Sequence, residues 1–599
     1  MVWQREDKIS YEKFLEKHKL VLVFFAFLFI VLSLKLFYMQ IIKGGNYRNI
    51  SEQQRMHNTR ERAPRGVIYF DDDSVMVGNE FTYVVLFNPF EQNKIPPAET
   101  VEEINGILGK DIKPALDASR KSGRAVKLAE NLTLNDMFKI LEKRLMLTGI
   151  SVVKEPKRLY FDSEVNSHVT GYTGEIRADE IEELSTEGYK MGDYIGRGGI
   201  EQSYDRYLQG TNGGWQIEVD AKGHQTRATR YIPAEIGASV YSTLNPKLQK
   251  AAYEALSKSS TGRGAAVVLD TKNGALKALV SSPGFDANKV NTKDFAKYLK
   301  DKKLPLFNRA LQALYPPGSI FKIVTFAAAA EILDFNPKET QRCEGGFALG
   351  DRVYACSLKA GHGYVNAITA MAYSCNVFFY QLGLQLGVKN IEKYAKEFYL
   401  GQKTGIDLPN EKRGFVPNPE WKKMKMKMSW LQGDTVILAI GQGALWVTPL
   451  QMADMICAVA NKGVYYRPYL VDKAVNSKGE TVYQHLTQTH DMIDLKDTTW
   501  QYLHAALLET VEIGTGRRSK LAGIKVAGKT GTAENPQGED HAWFVSYAPA
   551  DKPEIAIAVI VENGGGGGLN AVPIARKIYE AYFDIEESTS TAQKTQLGG

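Results

Sequence analysis

The sequence predicts a multi-domain α+β protein with one N-terminal membrane-spanning helix, a middle scaffold region and a larger C-terminal domain built on a mainly antiparallel sheet. Three observations predict it. The chain has 599 residues, too many for a single core. A nearly unbroken apolar run occupies Leu20–Ile42. Beyond about residue 232 the pattern runs strands, then a block of helices, then strands and a closing helix. Composition is that of a globular protein, 44% apolar and 24% charged. The net charge of +6 is too small and too dispersed for nucleic acid to be the main partner. Four cysteines exclude a disulfide scaffold.

The apolar run begins LVLVFFAFLFIVLSL, with Ser33 its only polar residue before Lys35. Lys35 can snorkel to the headgroups, so Leu20–Ile42 spans roughly 30 Å of hydrocarbon. A cleaved signal peptide needs small residues that Phe37–Gln40 does not offer. A buried core helix is the remaining alternative. Arg5, Lys8, Lys13, Lys17 and Lys19 precede the run and favour an inside N-terminus, a bias reduced by Lys43, Arg48, Arg55 and Arg60 after it. This gives a cytoplasmic tail at 1–19, a single-pass anchor at 20–42 and the rest of the chain outside.

Residues 43–231 read as a scaffold without a catalytic cluster. Val67–Phe70 and Tyr83–Phe87 are strand-like, and 96–154 alternates short amphipathic helices with polar connections. In 232–585, Ala265–Asp270 and Leu276–Ser281 flank Lys272-Asn273-Gly274, a hairpin signal. Pro316-Pro317-Gly318 breaks the chain before a helix over Ser319–Leu333. Apolar helices are predicted over Ala367–Leu384 and Pro449–Ala460, strands at Lys525–Val526, Ala542–Tyr547 and Ile555–Val561, and a last helix over Ala571–Phe583. Residues 586–599 read as a disordered tail.

Ser319 and Lys322 form S-x-x-K, two residues on one helical face. A serine hydroxyl needs a base to take its proton, and a lysine kept neutral by burial and a second cation can serve. The helix N-terminus favours developing negative charge. The motif alone is weak, since Ser10–Lys13 and Ser151–Lys154 match it as well. Its company is informative: Ser374-Cys375-Asn376 supplies S-x-N, and Lys529-Thr530-Gly531-Thr532 supplies K-T-G at the start of a strand. S-x-x-K, S-x-N and K-T-G in this order are the signature of penicillin-binding proteins and serine β-lactamases. A second K-T-G, Lys403–Gly405, leads into Ile-Asp-Leu-Pro and reads as a loop.

With these motifs stand RAPRG at Arg62–Gly66, GGIEQSYDRYLQG at Gly198–Gly210, TGIDLP at Thr404–Pro409 and IGQGALWVTPLQM at Ile440–Met452. Together they resemble a class B penicillin-binding protein, and within it the elongation type, penicillin-binding protein 2, from the apolar run to about residue 585. The resemblance implies an elongated pedestal or dimerisation domain over 43–231 and a serine β-lactamase-like transpeptidase domain over 232–585. It implies that Ser319 attacks the penultimate D-alanine of a stem peptide and that Lys322 takes its proton. Ser374 then relays protons, and Asn376 orients Lys322 and the substrate amide. Lys529 draws in the terminal carboxylate and helps keep Lys322 neutral. Thr530 or Thr532 bonds that carboxylate, the Ser319 and Thr532 amides form an oxyanion hole, and Gly531 lets the substrate lie close. β-Lactams are expected to acylate Ser319.

Cys343, Cys356, His362 and Cys375 fall in a C-x12-C-x5-H-x12-C pattern. Three thiolates and an imidazole suit a closed structural zinc, which would brace the S-x-N turn through Cys375. A Cys343–Cys356 disulfide and unrelated buried thiols are the alternatives. Cys457 reads as core.

Other functions fit less well. A bifunctional synthase needs a glycosyltransferase region with an acidic cluster that 46–231 lacks. A β-lactamase needs a deacylating base and no tethered scaffold. A β-lactam sensor needs more spans. A division-type enzyme and a catalytically silent regulator remain the alternatives. The resemblance further implies a bacterial inner-membrane location with the catalytic domain outside, a RodA-type glycosyltransferase and MreC-like proteins as partners, and no nucleic acid.

Overall fold

Runs of Val, Ile and Ala that are apolar at every position, not at alternate ones, form strands covered on both faces. Two such runs make the centre of the main sheet. The computed structural model describes residues 3–45, 47, 56–58, 61–87, 97–122, 126–143, 149–219, 225–333 and 336–585. The predicted disordered tail lies outside them. The described chain falls into two compact units, each discontinuous in sequence. One is Met1–Ala63, Phe81–Pro156 and Thr211–Glu235; the other is Pro64–Glu80, Lys157–Gly210 and Ile236–Gly599.

In the first unit, a helix over Trp3–Phe37 continues as a π-helical turn over Tyr38–Ile42. Its stretch His18–Ile42 is long and apolar enough to cross a membrane, and the side chains from Leu20 to Ile42 are exposed. The expected amphipathic helices lie at Ala98–Leu108, Lys113–Ser122 and Leu134–Glu142. Val101, Ile104, Leu116 and Ile140 form a small core with Val85, Phe87 and Leu128.

In the second unit, the elements that carry the site are, in chain order, α1 (Pro246–Ser257), β1 (Gly264–Asp270), β2 (Leu276–Ser282), α2 (Lys322–Ile332), α3 (Ala367–Ala372), α4 (Asn376–Glu397), α5 (Pro449–Ala460), α6 (Asp497–Glu512), β3 (Ala527–Ala533), β4 (His541–Ala548), β5 (Ile555–Val561) and α7 (Val572–Tyr582). The strands form one antiparallel sheet in the order β2-β1-β5-β4-β3. Ala266, Val268, Ile557 and Val559 on one face pack with Leu248 of α1 and Ile574 and Ile578 of α7. Val267, Leu269, Val545 and Ala558 on the other pack with Phe326 of α2 and Leu450 and Met452 of α5. The sheet is thus the middle of three layers, and β3 is its edge.

The hairpin forms as the sequence predicts, with Gly274 N–H donating to the Asp270 carbonyl at 3.0 Å. The single helix expected over Ala367–Leu384 is two helices. Ser374, at φ 58°, turns the chain left-handed between α3 and α4, and α4 then reaches Glu397 with a break at Gly387, φ 71° and ψ 159°. The run of apolar residues on both sides of the turn hides it, because helical periodicity is continuous through it. The C-terminal strand begins at Ala527, after the expected Lys525–Val526.

The R-A-P-R-G and G-G-I-E-Q-S-Y-D motifs meet in a buried ion network. Glu201, fully buried, takes Arg158 Nε at 2.6 Å and Arg65 Nη2 at 2.7 Å. Arg65 Nη2 also reaches Asp205 Oδ1 at 2.7 Å, and Arg158 Nη1 donates to the Gly66 carbonyl at 2.7 Å. Burial alone would raise the Glu201 carboxyl, but the Arg158 and Arg65 guanidiniums outweigh it and hold the group below its ordinary 4.5. That part of the stability is present above the unfolded value and is lost as pH falls through the lower folded one. Glu201→Ala leaves the buried Arg158 guanidinium without a carboxylate and Arg65 with Asp205 alone, and lowers unfolding free energy by about 3 kcal/mol, measured by urea denaturation.

Candidate active site

The turn that carries Ser319 is held from three sides. Tyr315 exchanges backbone hydrogen bonds with Val447 at 3.0 and 2.9 Å. The Trp543 indole donates to the Pro316 carbonyl at 3.1 Å, and Gly318 N–H donates to the Gly441 carbonyl at 2.9 Å. Gly318 sits at φ 55°, and a Cβ there would lie 2.5 Å from the Thr532 carbonyl oxygen, so only glycine lets the turn close on β3. The helix predicted from Ser319 starts with a 3-10 turn over Gly318–Phe321, and α2 begins at Lys322. In a 3-10 turn residues i and i+3 eclipse, which sets the half-buried Ser319 in line with Lys322.

Lys322 is fully buried. Its Nζ donates to Ser374 O at 2.9 Å, Ser374 Oγ at 3.1 Å and Asn376 Oδ1 at 2.7 Å. Burial lowers its pKa to about 7 against a weaker opposing pull from Cys375 and Cys356. Lys529, also fully buried, donates to the Thr530 carbonyl at 3.0 Å. Burial first, then the Lys322 ammonium, pushes it well below the usual range. Burial is the main cause at both amines, and each ammonium disfavours the other.

On β3, Thr532 is exposed and Thr530 is buried, its hydroxyl 2.5 Å from that of Thr515. Gly531 faces the nucleophile turn: an added Cβ would lie 2.9 Å from the Pro317 carbonyl and 3.1 Å from Ile320 Cγ1. The space it leaves is used by that turn. Gln442 of the G-Q-G motif donates to the Thr532 carbonyl at 3.2 Å and so ties the strand end to the Gly441 loop. The second K-T-G is a loop, its Thr404 hydroxyl and amide bound to Glu411 Oε1 at 2.8 and 2.7 Å.

The four predicted ligands meet. Cys343 Sγ, Cys356 Sγ, His362 Nδ1 and Cys375 Sγ lie within 4.8 Å of one another. Cys343 Sγ is 3.6 Å from Cys356 Sγ, so the two are not disulfide-bonded, and Cys356 Sγ is 3.8 Å from Cys375 Sγ. His362 Nδ1 is 3.6 Å from Cys343 Sγ and 3.4 Å from Cys356 Sγ. A tetrahedral zinc with usual bond lengths requires S–S edges of about 3.8 Å and S–N edges of about 3.6 Å, so the donor set fits. Asn376 N–H donates to Cys356 Sγ at 3.3 Å, and Ser357 Oγ donates to the Ser374 carbonyl at 3.1 Å. The cluster is therefore joined to the turn that holds Lys322. The Cys375 thiol and three backbone amides push the Cys356 thiol down. Cys457 is buried in α5, as expected.

Sequence reasoning missed Thr515, Trp543 and Gln442 as functional residues. Gln442 lies in a quoted motif, and Thr515 sits in a Gly-Thr-Gly, the only signal that could have found it.

A buried lysine between a serine turn, a Ser-x-Asn turn and a K-T-G edge strand defines the class: a serine acyltransferase on an α+β domain. Comparison with known proteins gives the family. Residues 264–580 match the penicillin binding protein transpeptidase domain, and 60–242 match the penicillin-binding protein dimerisation domain. The chain is 33% identical over 585 residues to peptidoglycan D,D-transpeptidase MrdA of Acinetobacter baumannii, covering 92% of this chain and 85% of that one. It is 31% identical over 587 residues to MrdA of Haemophilus influenzae, covering 92% and 89%. A Helicobacter pylori penicillin-binding protein 2 solved in complex with MreC superposes at TM-score 0.77 and 26% identity, covering 88% of this chain and 99% of that one. A chain from a peptidoglycan synthase complex superposes at TM-score 0.70 and 28% identity, covering 95% and 99%. The chain belongs to the penicillin-binding protein family, with its dimerisation and transpeptidase domains, and is a peptidoglycan D,D-transpeptidase.

Proposed function

We propose that the chain cross-links stem peptides during cell-wall elongation through an acyl-enzyme on Ser319. The observation that carries this reading is Lys322, buried, lowered to about 7 and bonded to both Ser374 and Asn376 beside the Ser319 turn. Neutral Lys322 takes the Ser319 proton as Oγ attacks the carbonyl of the penultimate D-alanine. The Ser319 and Thr532 amides hold the oxyanion. Collapse breaks the peptide bond, and the leaving D-alanine nitrogen receives the proton by way of Ser374. An amine of a second stem peptide then attacks the ester, returns the hydroxyl to Ser319 and completes the cross-link. Lys529 and exposed Thr532 bind the donor's terminal carboxylate, Thr530 being turned to Thr515. Full-length protein incubated with a fluorescent penicillin gains one stable covalent adduct by intact mass, and Ser319→Ala gains none. Rapid adduct loss with drug hydrolysis would instead indicate a β-lactamase, and no adduct on folded protein a silent regulator.

The domain reading is a pedestal over 43–231 and a transpeptidase domain over 232–585. Cys343, Cys356, His362 and Cys375 would hold a structural zinc, which would supply a fixed cross-link beside the Ser374 turn and no part of the bond changes. Protein purified without chelator carries about one zinc per chain by elemental analysis, and Cys356→Ser loses most of it; metal-free parent protein would exclude the site.

The span Leu20–Ile42 anchors the chain in the inner membrane, with the catalytic unit on the outer side where stem peptides are. Glycan strands come from a RodA-type glycosyltransferase that contacts this span, with MreC-like proteins nearby; the complexes of the structural relatives support this. Exchanging Leu20–Ile42 for an unrelated span lowers glycan polymerisation by the reconstituted pair. Unchanged assembly and polymerisation would count against the partnership.

A further inference from the structure

Two walls of the site carry one buried lysine each. Lys322 hangs on the Ser374 turn, and Lys529 hangs on β3 through the Thr530 carbonyl. These walls belong to different parts of the fold, the helical layer and the sheet edge. For acyl transfer the base on one and the carboxylate site on the other have to stand at a fixed spacing, because a displacement of about 1 Å costs about a hundredfold in rate.

The segment Gly514-Thr515-Gly516, just past α6, joins them. Thr515 N–H donates to the Ala372 carbonyl at 3.1 Å, and its hydroxyl lies 3.5 Å from the same oxygen. Ala372 ends α3, two residues before Ser374. The Thr515 hydroxyl is also 2.5 Å from the Thr530 hydroxyl. Glycine at 514 makes the approach possible, since a Cβ there would lie 2.2 Å from the Ala372 oxygen. Each hydroxyl has one proton and two acceptor positions, so the Thr530 and Thr515 hydroxyls can donate in series to Ala372, or Thr515 can donate to Thr530 while its amide keeps Ala372.

We infer that Thr515 is a positioning residue: it fastens the K-T-G strand to the Ser-x-Asn turn and so sets the spacing of Lys529 and Ser374 across the cleft. This rests on the transpeptidase reading above. Thr515 itself takes no proton from the substrate and forms no bond to it. Its backbone link to Ala372 survives any side-chain change, so the hydroxyl link to Thr530 can be removed without unfolding the loop.

The test is saturation kinetics of acylation of the full-length protein by a fluorescent penicillin, comparing the parent, Thr515→Val and Thr515→Ser. Valine keeps the shape and removes the hydroxyl; serine restores it. The final amplitude counts folded, acylatable molecules, while the limiting rate and the half-saturating concentration report the site. The expected result is a limiting rate about tenfold lower in T515V at near-parental amplitude and half-saturation, with T515S within about threefold of the parent. An unchanged rate in T515V, a loss that serine does not restore, or a loss of amplitude alone would overturn the inference. Failure of the parent to be acylated would overturn the transpeptidase reading, and this inference with it, and so is distinct from a normal parent with an indifferent T515V.

Discussion

A cation placed in a dry interior either finds partners or loses its proton, and the site is organised around that constraint at Lys322. Its three acceptors all come from the turn between α3 and α4. None is a carboxylate. Hydrogen bonds donated to neutral oxygens satisfy the N–H groups without stabilising the charge as an ion pair would, so burial prevails and the pKa falls to about 7. Had an aspartate stood at 376, the same geometry would give a permanent ammonium and no base. The rest of the unit serves to keep these groups dry and fixed: a sheet covered on both faces, an alanine-rich α2, and a nucleophile turn fastened by Trp543 and Gly441.

The left-handed Ser374 is where local preference and global need conflict. A non-glycine residue at positive φ is uncommon and is kept only when its surroundings over-determine it. Here they do. Ser357 and Lys322 both donate to the Ser374 carbonyl, and Asn376 N–H donates to Cys356 Sγ. The thiol and imidazole cluster is thus joined through the backbone to the turn that holds Lys322.

Much of this was legible in the sequence where chemistry is carried by short ordered motifs. Lys322, Ser374 and Asn376 meet, with Ser319 one 3-10 turn before Lys322, and the four metal-ligand candidates also come together. The fold class followed from strand and helix order, and the hairpin from its Asn-Gly turn. What stayed hidden depends on tertiary contact. The break at Ser374 is masked by apolar periodicity on both sides of it. The role of Gly531 in seating Pro317 and Ile320 depends on packing 214 residues away in sequence from Pro317. Thr515 has only its flanking glycines as a local signal, and its partners Ala372 and Thr530 come from two other segments. The discontinuous make-up of the two compact units, with Pro64–Glu80 and Lys157–Gly210 grouped with the C-terminal sheet, has no local sequence signal at all.

The edge position of β3 has a consequence for what the site can tell apart. An unpaired strand edge presents amides and carbonyls at a regular spacing, and these recognise extended backbone of any sequence. A segment laid along that edge would be held through its backbone, with little reading of its side chains. On the proposed reading, discrimination falls to the two ends of the bound segment, where a carboxylate would reach Thr532 beside the buried Lys529 and a carbonyl would reach Ser319. Such a reader measures length and chain terminus, much as a caliper does, and is tolerant of what lies between its jaws.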